Sequence, residues 1–145
     1  MPVHYNISSH LKLVIYICSG LVSGEDIFKT SDKLLRDRRR ISGLRTIIDF
    51  LSAVENLQLG ELQEAIRRIQ SLAEKGFAVA PIVILSHSTG MQVLIDTINL
   101  LPHKVPFMIE MVSTLDAAIS VLRLQNSREE VIRFWHESRA LSERE

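Results

Sequence analysis

LRTIIDFLSAVENLQLGELQEAIRRIQSLAEKGFAVAPIVIL, residues 44–85, is the stretch whose reading decides the fold. Its opening, Leu44 to Phe50, is an apolar run centred on Thr46, Ile47 and Ile48, the β-branched composition of a strand. From Glu61 to Lys75 the period changes: Leu62, Ala65, Ile66, Ile69, Leu72 and Ala73 recur at helical spacing with charges opposite them. Gly76 supplies a left-handed stop. Ala78 to Leu85 is strand-like again, and Pro81 inside it implies either an edge position or pairing that begins after the proline. Two strands joined through a helix of this length read as a right-handed crossover between parallel neighbours.

Upstream, Val3 to Ile7 and Leu11 to Leu21 are extended segments separated by Ser8, Ser9 and His10, a polar break of hairpin length. In the second segment Leu13, Ile15 and Ile17 alternate with Val14, Tyr16 and Cys18, so both faces are apolar and the strand is expected to be buried on both sides. Ser23 with Asp26 three residues on signals a helix start. That helix turns Ile27, Ser31, Leu34 and Leu35 inward and ends before Ser42 and Gly43. Downstream, Ser86 to Gly90 leads into a helix with Met91, Leu94, Ile95, Ile98 and Leu101 inward. Pro106 to Val112 comes next as a fifth strand, with Phe107, Ile109 and Met111 on one face. Ser113 and Asp116 then repeat the capping pattern, and Asn126 or Ser127 starts a last helix running to Glu145. The expected architecture is α/β: a single mixed, mostly parallel sheet of about five strands, opened by a hairpin and flanked by about four helices. Residues 1–125 form the domain and 126–145 a C-terminal helical extension.

Composition narrows the functional classes. Apolar residues are 46% and charged ones 23% of 145 residues, an ordinary globular balance, and Lys plus Arg equals Asp plus Glu, so no net field steers the chain toward polyanions. Cys18 is the single cysteine, which excludes an internal disulfide and a cysteine-based zinc site. The start MPVHYNISSH has no secretory pattern and polar residues interrupt every apolar run, so a cytoplasmic chain with no transmembrane segment is expected.

In open parallel sheets ligands and partners are met beyond the carboxyl ends of the strands. Asp49 lies near such an end, and the loop expected from Leu51 to Leu59 adds Ser52, Glu55 and Asn56, with Glu61 opening the next helix. These five are the expected partner-binding residues, sharing one rim. Ser86, Ser88, Thr89 and Gly90 form a second candidate, an anion or ligand site at a helix start where backbone N–H groups are free. The same turn looks like a hydrolase nucleophile elbow centred on Ser88, with Asp116 and His136 coming later in hydrolase order, but Ser86 replaces the glycine that relieves crowding there. A helix cap is the better reading of Ser88 or Thr89. The basic cluster Lys33, Arg36, Arg38, Arg39, Arg40 and Arg45 sits at a helix end with no aromatic residues between, so a solvated end is favoured over nucleic-acid binding. The five histidines lack ligand spacing, and neither metal nor cofactor is expected. Val93 and Leu100 fall off the inner stripe of their helix; with Met91 and Trp135 they offer an apolar-ligand or dimer face, to which Phe107, Met108 and Met111 could add. Plain core is the favoured reading of these residues, and docking onto the parent domain that of the Trp135 helix.

The run from Tyr16 through Leu122, with its opening hairpin, Ser19-Gly20-Leu21-Val22-Ser23-Gly24-Glu25-Asp26 leading into a helix, and the central strand Leu44 to Asp49, resembles the small bacterial SpoIIAA-like proteins. These are relatives of the STAS domain, the sulfate transporter and anti-sigma factor antagonist module. The resemblance implies a non-catalytic signalling or protein-interaction role with a protein partner or a second copy bound, not an enzyme. It also implies a phosphorylated serine in the loop after the central strand. Here that stretch reads Ala53-Val54-Glu55-Asn56-Leu57-Gln58-Leu59-Gly60, with no hydroxyl, so a serine switch at that position is not expected. The fold also resembles the lipid-carrying CRAL-TRIO group, which makes a carrier or sensor of a small apolar ligand the alternative and a serine hydrolase through Ser88 the remote one.

Overall fold

The computed structural model describes residues 2–39, 43–74, 80–100 and 109–144. Its elements are β1 (Val3–Ser8), β2 (Leu13–Ser23), α1 (Gly24–Leu35), β3 (Arg45–Asn56), α2 (Leu59–Glu74), β4 (Ile82–Leu85), α3 (Thr89–Leu100), β5 (Ile109–Val112), α4 (Leu115–Val121) and, after a 3₁₀ turn at Gln125–Ser127, α5 (Arg128–Glu143). The strands form one sheet in the order β1-β2-β3-β4-β5, with β1 antiparallel to β2 and every other neighbour parallel. This is the mixed, mostly parallel sheet expected from the strand–helix alternation, opened by a hairpin and carrying a further helix at its end.

Strands laid down in sequential order through crossovers of one hand put their connecting helices on one face. Accordingly Ile27 and Leu34 of α1 and Met91, Ile95 and Ile98 of α3 share a core with Val14, Tyr16, Cys18, Phe50 and Ile84. The other face would be bare without the helices after β5. There Ala118 and Ile119 of α4 and Val131 and Phe134 of α5 pack on Leu13, Ile15, Ile17, Ile47, Val83 and Leu85. Alternation along β2 therefore feeds two cores, as its two apolar faces required. Residues 126–145, which read as an extension, supply α5 as the larger part of this second layer.

Local chemistry sets most boundaries. Ser23 caps α1 reciprocally: its hydroxyl accepts from Asp26 N while the Asp26 carboxylate accepts from Ser23 N at 3.0 Å. Pro81 stands just outside β4, its carbonyl accepting Thr46 N at 3.1 Å, so pairing begins after the proline. Two expectations shift. The cap of α4 is Thr114, whose hydroxyl accepts Ala117 N at 3.1 Å, rather than Ser113; Leu35 is 38% exposed rather than inward. The Ser42 break, the Gly76 stop, Leu101, Pro106, Phe107 and Met108 lie outside the described residues.

The larger correction concerns residues 51–59. Residues 51–56 are strand, because β2 runs on to Ser23 and pairs Ser19 to Ser23 with Ser52 to Asn56. Between the pairs Ile17–Asp49 and Ser19–Ser52, β3 holds two residues where β2 holds one. Such a bulge shifts the alternation of faces by one residue from that point onward. Beyond it β2 and β3 continue as a two-stranded ribbon, since β1 pairs no further than Cys18 and β4 no further than Asp49.

Candidate functional site

Asp49 ends the part of β3 that is paired on both sides, to β2 and to β4, and is 1% exposed. One carboxylate oxygen accepts Leu51 N at 2.8 Å; the other accepts Trp135 Nε1 at 2.7 Å and Arg139 Nη1 at 3.1 Å. Arg139 also donates through Nη2 to Ser52 Oγ at 2.9 Å and lies 5.1 Å from the Trp135 ring centroid. A buried carboxylate is tolerable only when paired and hydrogen-bonded in this way. Its cation arrives from α5, and the bulge makes the arrangement possible by turning Ser52 to the same side of the sheet as Asp49. The expectation that Asp49 faces a partner is therefore corrected: its charge is consumed inside the molecule.

Glu55 goes to the opposite side. Its carboxylate accepts a hydrogen bond from the Ser88 hydroxyl, and Ser88 Oγ in turn accepts Met91 N at 3.2 Å, which makes Ser88 the cap of α3. Ser86, 2% exposed, accepts Ser88 N at 3.1 Å and tightens the turn. Of the second candidate group, Ser86 and Ser88 are thus structural, while Thr89 and Gly90 are exposed at the first turn. A carboxylate beside the first turn of α3 is favoured by the helix dipole, so the chain supplies its own anion there. Glu61 Oε1 accepts Gln58 N at 2.8 Å, and its side chain lies so close to buried Gly24 that a Cβ there would sit under 3 Å from it. The expected single rim of Asp49, Ser52 and Glu55 is thus divided between two faces, with Asn56 exposed at the ribbon's end.

The hydrolase arrangement is not assembled. Asp116 pairs with Arg128 at 3.0 Å, the His136 ring lies tilted with its centroid 5.0 Å from that of Trp135, and Ser88 faces a carboxylate instead of an imidazole. His87 Nε2 lies 2.9 Å from Ser113 O. No group of three His, Cys, Asp or Glu able to hold a metal occurs among the described residues. Nor do the four residues of the expected apolar face meet. Met91 is fully buried in the core on the α3 side, Val93 and Leu100 are 63% and 86% exposed, and Trp135 lies across the sheet.

Two members of the basic cluster have separate roles, and Arg40 lies outside the described residues. Arg39 grips Asp37 with two bonds of 3.2 and 3.0 Å, and Tyr5 donates to the same carboxylate at 2.6 Å. Those bonds, Arg39's first, hold the Asp37 carboxyl well below the usual carboxylate range. Arg45 donates to the carbonyls of Leu122 and Leu11 at 3.0 and 2.8 Å, tying α4 to the β1–β2 turn. Burial, with the Asp49 charge second, pushes the Cys18 thiol up, away from the thiolate form that reacts.

What the sequence reading missed is a pair. Leu21 and Val54 are register partners on the ribbon, on the face opposite fully buried Val22, and are 66% and 64% exposed. Ser19 and Ser52 pair beside them, and Gly20 between takes φ +68°. Leu21 closes the apolar run of the second strand, and Val54 lies in a stretch that polar residues make look like a loop. The available signal was length, because eleven and twelve residues in β2 and β3 must outrun a four-residue neighbour.

No family model matches the chain, and no curated protein matches it. Among solved structures it is similar to an uncharacterized protein of the DUF3478 family with a SpoIIAA-like fold from Shewanella loihica PV-4. The match has a TM-score of 0.51 at 12% identity and covers 83% of this chain and 91% of that one. The fold is SpoIIAA-like. At this identity the likeness concerns architecture, in agreement with the resemblance read from the hairpin and the central strand. No helix among the described residues is long and apolar enough to cross a membrane.

Proposed function

We propose that this chain is a non-catalytic protein-interaction domain of the SpoIIAA/STAS type, acting in the cytoplasm. It meets its protein partner on the outer face of the β2–β3 ribbon. The observation that carries the reading is the Leu21–Val54 pair. Two large apolar side chains, in register and two-thirds exposed, stand where both strands have outrun their neighbours. Covering them would contribute roughly 1–2 kcal/mol each. Ser19, Ser52 and Asn56 frame the pair with neutral hydrogen-bonding groups, and the guanidinium nearest to it, Arg139 on Ser52, is already paired with Asp49. The paired acids nearby are already committed, Asp49 to Arg139 and Glu55 to Ser88. A serine switch ahead of α2 is not part of the proposal, because residues 53–60 contain no hydroxyl.

Native mass spectrometry of the protein purified from its own host, as wild type and as the Leu21→Asp/Val54→Asp variant, tests this. The expected result is a wild-type complex with a protein of defined mass that the variant loses while keeping its melting temperature. A complex retained unchanged by the variant would move the interface elsewhere. An added mass of small-molecule size in the wild type would favour a carrier instead.

A further inference from the structure

We draw no further inference here: the strongest candidate, the exposed Leu21–Val54 pair on the outer face of the β2–β3 ribbon, belongs to the docking face already described, and nothing in the structure shows what covers it.

Discussion

Asp49 and Glu55 are two carboxylates on one strand, six residues apart, and the fold treats them oppositely. Asp49 is 1% exposed and held by α5 through Trp135 and Arg139, residues 86 and 90 positions further along the chain. Glu55 is half-buried on the other face and meets Ser88 at the start of α3. The bulge between them produces the difference, because one additional residue in β3 sends the rest of the strand's side chains to the opposite faces of the sheet. The comparison teaches that a polar residue near the carboxyl end of a parallel strand is not thereby available to a partner. A helix from the far end of the chain can take it first.

The strongest way to break this contrast is to remove α5. Ending the chain at Gln125 would uncover Leu13, Ile15 and Ile17 and leave the buried Asp49 carboxylate without its cation. We expect a loss of several kcal/mol, comparable to the whole stability of a small domain. The truncated protein should show no cooperative thermal transition by circular dichroism. A soluble, cooperatively melting 1–125 fragment would mean that α5 only decorates the fold.

Next in size is the clamp itself. Asp49→Leu should cost about 3–5 kcal/mol and Arg139→Met about 2–3 kcal/mol in urea unfolding, because each leaves a charge or donors without a partner. The double variant should cost less than the sum by at least about 1 kcal/mol. Since Trp135 is the sole tryptophan, its fluorescence should shift to the red in Arg139→Met if the helix unseats. Strict additivity would show that the two groups are not energetically coupled.

The Glu55 side should respond more weakly. Ser88→Ala removes the α3 cap and should cost about 1 kcal/mol, and Glu55→Gln less, because a neutral amide can still accept from the Ser88 hydroxyl. If Glu55→Gln proved as damaging as Asp49→Leu, the two carboxylates would not differ as described.

The smallest effect concerns Asp37, a surface counterpart of the Asp49 pair. Its folded carboxyl lies below the usual value, so its contribution to stability is present in full above about pH 4 and is lost as pH falls further. Tyr5→Phe removes one donor to the carboxylate and should raise the Asp37 titration midpoint in an NMR pH series, with a small loss of stability at pH 7 linked to that rise. An unmoved midpoint would assign the depression to Arg39 alone.

Much of the fold was legible because it rests on short-range chemistry. Ser23 and Asp26 are three residues apart and cap α1 as their spacing requires, and Pro81 marks the start of β4 because it has no N–H to donate. Ser88 was equally readable as a cap. The candidate site was legible only in part. Residues 51–56 looked like a loop because Ser52, Glu55 and Asn56 interrupt the apolar pattern, yet pairing with residues 19–23 of β2 makes them strand. Polar content does not unmake a strand whose backbone groups are paired across a sheet.

The order of strands and helices, the burial of both faces of β2 and the helix starts were decided by the chain itself, since each depends on residues within one turn or one pleat of each other. Tertiary structure alone decided which face Ser52 and Glu55 occupy, that Asp49 is sealed beneath α5, and that Leu21 stands beside Val54 in the open. Those outcomes turn on register between segments 33 or more residues apart, and a single added residue in one strand reverses them without leaving a mark on local composition.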